Sequence, residues 1–141
     1  MPTRNAHAEW NGSLPEGSGT MQFGSGAFEG PYSFKSRMEE GPGTNPEELI
    51  GAAHAGCFSM ALSGVLGADG HEPESIITDA KVRFDKQGEG WAITTITLTT
   101  RGNVPGIDED GFRKAAETAK ENCPVSQALS VDITLDAALA T

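Results

Sequence analysis

One segment of the chain, residues 45–68, constrains the fold more than any other. It has the sequence NPEELIGAAHAGCFSMALSGVLGA. Asn45 is a favoured N-cap residue and Pro46 suits the first helical position, so a helix is predicted from here to about Ala68. Its larger apolar residues repeat with helical period, and its other side is small and uncharged. A helix that is apolar almost all round is typical of a buried central helix.

The remaining sequence predicts short strands before this helix and a hairpin, a second helix and a strand after it. Three aromatic or β-forming stretches separated by glycine-rich sequence predict a meander: 6–10, 20–24 and 32–38. Two alternating stretches, 76–85 and 91–101, predict a β-hairpin around Gly88–Gly90. An amphipathic helix is expected to begin near Asp108, and 131–136 alternates as a closing strand. This order predicts an α+β fold, and the length predicts a single domain, 1–141.

The charge and the N-terminal sequence bear on partners and location. Ten Lys and Arg stand against twenty Asp and Glu, a formal net charge of −10, which argues against nucleic acid as a partner. Met1–Asn5 lead into polar sequence, so no secretory signal is expected, and the apolar runs look shorter than the roughly 20 residues of a membrane span. We therefore expect a cytoplasmic protein that binds no membrane.

The chain has two cysteines, Cys57 and Cys123, each beside a helix signal. Their separation excludes the local spacing of a zinc ribbon or a Cys-x-x-Cys motif, and no cluster indicates a metal site. A cysteine on a buried helix is most simply a packed small hydrophobe. However, Gly51 and Gly56 each weaken that helix by about 1 kcal/mol relative to alanine, which indicates a packing or functional reason.

Cys123 and His54 have distinct local settings. Cys123 precedes Pro124, so it is expected to cap a short helix through residues 126–129, where its thiolate would be favoured. His54 lies three residues before Cys57, on the same helix face. Two interpretations of His54 remain open: a general base for a cysteine nucleophile, although no Asn or Asp is recognisably placed to orient it, or a histidine that satisfies a core hydrogen bond.

Residues 45–62, the Asn122–Ser126 motif and the Val104–Asp108 turn resemble the OsmC/Ohr family of thiol peroxidases. The histidine in the first motif is similar to the osmotically inducible OsmC branch, and the resemblance runs from about Ala6 to Leu139. It implies an OsmC-like fold in an intertwined homodimer, with Cys57 as peroxidatic and Cys123 as resolving cysteine. It also implies a hydroperoxide substrate, preferably organic, and an external dithiol reductant such as a lipoyl protein. No bound cofactor or metal is implied.

The resemblance further assigns Arg37 and Glu47 to the site. Arg37, at the end of the predicted third strand, would be the cation that stabilises the buried Cys57 thiolate. Glu47, at the second helical position, would hold its guanidinium in a bidentate pair, whereas Glu48 fits a capping box. On composition alone Arg37 resembles any surface cation, and the helix dipole would also explain Glu47.

Glu47 and Cys57 are ten residues apart, about 15 Å along a continuous helix. Either the helix breaks near Gly51, or two such helices cross in a dimer so that Glu47 of one chain approaches Cys57 of the other. We favour the second arrangement. Two alternatives outside the peroxidases also remain: a Cys-His acyl-transfer enzyme, and a non-catalytic small-molecule-binding stress protein with inert thiols.

Overall fold

The structure, a computed structural model, describes residues 2–140. They form two compact units that divide between Leu49 and Ile50. The elements follow in the order β1 (Ala6–Asn11), β2 (Ser18–Phe23), β3 (Glu29–Tyr32), α1 (Phe34–Met38), α2 (Pro46–Ala68), β4 (Ser75–Gln87), β5 (Gly90–Asn103), α3 (Glu109–Asn122), α4 (Pro124–Ala128) and β6 (Asp132–Leu139). The α+β class is confirmed, and the single domain stays a prediction.

The first unit is built on an antiparallel sheet in the order β1-β2-β3, as predicted for a meander. The predicted third strand, 32–38, is wrong beyond Tyr32, because α1 begins at Phe34. Ser33 and Ser36 explain the helix by a capping box: each side chain accepts a hydrogen bond from the other residue's backbone N–H, at 3.1 and 2.9 Å. Arg37 therefore lies on a helix and not at the end of a strand.

The second unit contains a mixed sheet in the order β4-β5-β6, covered by helices. The predicted hairpin pairs β4 and β5 antiparallel, and β6 adds to β5 in parallel. Its core joins apolar side chains of α2, β5 and α3, with Phe58, Leu98 and Phe112 fully buried. Gly102 on β5 admits the Phe112 ring, since a Cβ there would lie 2.5 Å from it.

Helix α2 runs without a break from Pro46 to Ala68, so the alternative of a break near Gly51 is wrong. Gly51 has a packing role instead, because a Cβ on it would lie 3.3 Å from Val82 Cγ2 of β4. This close approach of helix and strand accounts for a residue that weakens the helix itself. Glu47 approaching Cys57 across a dimer remains a prediction.

Helix α2 is less buried in the single chain than the sequence predicts. Phe58 and Leu62 are fully buried, whereas Met60 is 78% exposed and a Cβ on Gly56 would meet open space. One small unit covers only one face of a helix that is apolar all round. The expectation about apolar runs is also wrong, since α2 is long and apolar enough to span a membrane by length and composition. One such helix is weak support for a span, because core helices pass the same test.

Candidate active site

Arg37 and Glu47 form a bidentate ion pair within the first unit. The Arg37 Nη2 donates to Glu47 Oε1 at 2.7 Å, and Arg37 Nε donates to the two carboxylate oxygens at 3.1 and 3.3 Å. The Glu47 side chain is 9% exposed and that of Arg37 is 39% exposed. This is the usual geometry of a bidentate guanidinium–carboxylate pair. The pair orients the guanidinium and leaves part of it open to solvent.

The start of α2 fixes Glu47 in place. Asn45 caps the helix, since its Oδ1 accepts from Glu48 N at 2.8 Å, and its Nδ2 donates to the Ser36 carbonyl of α1 at 3.1 Å. Glu48 accepts from the Thr44 hydroxyl at 3.3 Å, so its side chain is tied to the residue before the cap. The cap therefore links α1, which bears Arg37, to the first turn of α2, which bears Glu47.

Cys57 and Cys123 are free thiols, and within the second unit they lie near enough to each other to affect each other's pKa. Cys123 takes the predicted N-cap position, before a helix that runs over Pro124–Ala128, but its side chain makes no capping hydrogen bond. Its carbonyl accepts from Gln127 N at 3.0 Å. Its N–H donates to Ala119 O at the end of α3, at 2.9 Å. Cys123 is fully buried, and Cys57 is partly exposed. Two cysteines that are distant in sequence thus lie together.

Burial and hydrogen bonding act unequally on the two thiols. Burial, and next the hydrogen bond with Cys123, raise the pKa of Cys57, although the Val125 N–H opposes this. Burial also raises the pKa of Cys123, but hydrogen bonds from Cys57, Ser126 and Val125 outweigh it, so the pKa of Cys123 is lowered. Within the second unit the thiolate is therefore favoured on Cys123.

His54 is fully buried on α2, and its Nε2 lies 2.8 Å from Ser126 Oγ. Burial lowers the pKa of His54, so the imidazole is neutral near pH 7. Its Nδ1 is buried and has no hydrogen-bond partner among residues 2–140. No Asn or Asp of the described chain therefore orients the ring, and the geometry gives no support to a Cys-His acyl-transfer triad.

Ser126 belongs to the site, although the sequence analysis did not single it out. It lies in the first turn of α4, three residues after Cys123, where its side chain contacts His54 and is within reach of the Cys123 sulfur. The spacing to the cap residue would have been a usable signal, because the side chain of the third helical residue lies close to the cap. Among the described residues no group of three or more His, Cys, Asp or Glu could hold a metal ion.

The second unit is thus an α+β unit in which two free thiols lie near each other. Comparison with known proteins makes this specific: the family model described as OsmC-like protein matches residues 39–137. The chain belongs to the OsmC-like family, as the resemblance predicted.

Two relatives and a solved structure illustrate the match. Peroxiredoxin OsmC of Escherichia coli K12 is 51% identical over 134 residues, 94% of each chain. An organic hydroperoxide resistance protein of Xanthomonas axonopodis pv. citri is 33% identical over 98 residues, 67% of each chain. The crystal structure of an organic hydroperoxide resistance protein from Elizabethkingia anophelis matches with a TM-score of 0.80, covering 99% of this chain and 98% of that one. At 21% identity this last likeness shows the shared fold.

Proposed function

We propose that this chain is a cysteine-based peroxidase that reduces hydroperoxides in stress defence. Its relatives include a peroxiredoxin and organic hydroperoxide resistance proteins, and the family membership supports the same activity here. The main structural support is that Cys57 and Cys123, the two cysteines of the chain, lie near each other in the fold. Two thiols near each other can be joined by a disulfide where their Cα atoms come within about 7 Å.

The proposed cycle has three steps. The Cys57 thiolate attacks a peroxide oxygen, so an S–O bond forms, the O–O bond breaks, and the alcohol or water leaves with a proton. Cys123 then attacks the Cys57 sulfenic acid, forming the disulfide and releasing water. An external dithiol reduces this disulfide by thiol exchange and is itself oxidised to a disulfide.

Access supports Cys57 as the attacking cysteine. A hydroperoxide can reach a partly exposed sulfur, whereas Cys123 is fully buried. Because burial raises the pKa of Cys57, the attack needs a fixed cation near its sulfur. We assign that role to Arg37, oriented by Glu47, in agreement with the bidentate pair and with the family resemblance.

We propose organic hydroperoxides as the better substrates, a lipoyl-bearing protein as the dithiol, a homodimer as the active form and the cytoplasm as the location. The names of the hydroperoxide resistance proteins support the first of these. The exposed apolar face of α2 supports the homodimer, because a second copy would cover it.

The direct test is to count free thiols before and after one equivalent of cumene hydroperoxide. The peroxidase loses two thiols per chain without forming cross-linked chains, and a dithiol restores both. An acyl-transfer enzyme would release an acyl product with no change in thiol count, and a binding protein would show neither reaction. Retention of both thiols, with the peroxide unconsumed, would contradict the proposal.

A further inference from the structure

A row of three side chains in the second unit leads from α2 to the buried cysteine. The Nε2 of His54 lies 2.8 Å from Ser126 Oγ, and Ser126 is the third residue of α4, with its side chain within hydrogen-bonding reach of the cap residue Cys123. Ser126 is thus placed between an imidazole and a thiol. The cycle described above uses neither His54 nor Ser126.

The protons of this row have one favourable arrangement. A neutral imidazole has one N–H, and a serine has one O–H. If the proton lies on Nε2, His54 donates to Ser126 Oγ, and the serine proton is left for the Cys123 sulfur. The opposite tautomer would bury an N–H at Nδ1, which has no partner among residues 2–140, and buried donors without acceptors are rarer than acceptors without donors.

We propose that His54 is a positioning residue for Cys123: by donating to Ser126 Oγ, it directs the serine proton at the Cys123 sulfur and stabilises the thiolate there. Without His54 the hydroxyl could rotate toward other acceptors. The imidazole stays neutral throughout and takes no proton from the thiol. The inference rests on the proposed function, because the thiolate concerned is that of the resolving cysteine.

The stabilised thiolate assists two steps of the cycle. In resolution it attacks the Cys57 sulfenic acid: the S–S bond forms, the S–O bond breaks, and the departing hydroxide takes up a proton to become water. In reduction the external thiolate attacks the sulfur of Cys57, the partly exposed cysteine, and Cys123 leaves as a thiolate. The sulfur with the lower pKa is the better leaving group, so the row also directs the reductant to Cys57.

The test is a titration of Cys123 by thiolate absorbance near 240 nm in the Cys57→Ser protein, which reports a buried sulfur as well as an exposed one. Removing the hydroxyl with Ser126→Ala is expected to raise the midpoint by about one pH unit, the effect of losing one hydrogen bond to a charged group. His54→Leu is expected to raise it similarly. His54→Gln retains an N–H donor and should restore most of the lower midpoint.

Two further variants separate positioning from a general disturbance. Because His54 acts through Ser126, adding His54→Leu to Ser126→Ala should shift the midpoint no further. Ser59→Ala is the matched control: Ser59 lies on α2 and donates to Thr78 Oγ1 at 2.8 Å, so its loss removes a serine hydroxyl but should leave Cys123 unchanged.

An unchanged midpoint in Ser126→Ala overturns the proposal, whether or not the His54 variants fold. A full His54→Leu shift in the absence of Ser126 overturns it as well. In the two-cysteine protein, Ser126→Ala should lengthen the lifetime of the Cys57 sulfenic acid several-fold at neutral pH, as measured by the time over which dimedone can still trap it, and an unchanged lifetime overturns the resolving role. Failure of the wild-type protein to consume hydroperoxide would instead overturn the proposed function, and the titration would still decide the positioning by itself.

Discussion

At the scale of the residue, the central question is why the thiol with the higher pKa should be the one that attacks. Burial raises the pKa of Cys57, while Cys123 is the sulfur with the more favourable hydrogen bonds. Solvent access instead favours Cys57 as the attacking cysteine, because Cys123 is fully buried. A cation that acts on Cys57 reconciles the two, which makes Arg37 the residue on which the assignment depends most.

Arg37→Ala should therefore act on reactivity more than on folding. Loss of a cation disfavours the thiolate, so the pKa of Cys57 rises and the pH profile of iodoacetamide labelling shifts to higher pH. At pH 7 the labelling rate falls about tenfold for each unit by which the pKa rises. Reactivity increases as the pH rises through the pKa, in the variant as in the wild type.

Labelling should be followed at the Cys57 peptide by mass spectrometry, with Arg101→Ala as the control. Arg101 is a comparably exposed arginine that pairs with Asp136 on β6. An unchanged pH profile in Arg37→Ala, or an equal shift in the control, would show that Arg37 does not stabilise the thiolate.

At the scale of the element, local signals in the sequence predict where helices begin. They do not predict strand pairing, which depends on contacts between distant residues. Asn45-Pro46 and Asp108 were placed correctly, because a cap is defined within one turn. Helix α1 was missed because Tyr32 and Phe34 suggested a strand, whereas the Ser33–Ser36 capping box decides the local structure. The parallel pairing of β6 with β5 has no local signal at all.

The site shows the same division. The meeting of Cys57 with Cys123 and of Arg37 with Glu47 could be expected only from the family resemblance, since spacing along a chain does not establish proximity in the fold. The contact between His54 and Ser126 was not expected, because 72 residues separate them. What the residues alone predicted was the local setting of each cysteine: a long helix for Cys57, and the position just before a short helix for Cys123.

Asn45→Ala tests whether the cap supports the first turn of α2. It removes the acceptor for Glu48 N and the donor to Ser36 O, so we expect a loss of about 1–2 kcal/mol in the free energy of unfolding. Asn45→Asp keeps the acceptor and loses only the donor, so its free energy of unfolding should lie between those of the wild type and Asn45→Ala. Urea unfolding measures this, and equal stability of all three proteins would mean that the cap contributes nothing.

At the scale of the whole molecule, the predicted dimer bears on how Glu47 reaches the chemistry. Helix α2 is continuous, and about 15 Å of helix separates Glu47 from Cys57. Gly56 leaves open space on the exposed face, where a second copy could approach closely. We therefore expect the glutamate of one chain to serve the cysteine of its partner.

Mixed dimers test this arrangement. Cys57→Ser and Glu47→Ala chains, denatured and refolded together, should regain part of the wild-type peroxidase activity, because one site of each mixed dimer then has both groups intact. The separately refolded parents are the controls. A mixed dimer no more active than its Glu47→Ala chain would place the glutamate in the same chain as the cysteine it serves.

The unequal roles of the two cysteines are the central claim, and a single turnover tests it most directly. Cys57→Ser and Cys123→Ser proteins are each given one equivalent of cumene hydroperoxide, and sulfenic acid is trapped with dimedone and located by mass spectrometry. Cys123→Ser should react once and carry the trapped adduct on Cys57, while Cys57→Ser should leave the peroxide unconsumed. Stoichiometric reaction of Cys57→Ser, or equal loss of the first reaction in both proteins, would contradict the assignment.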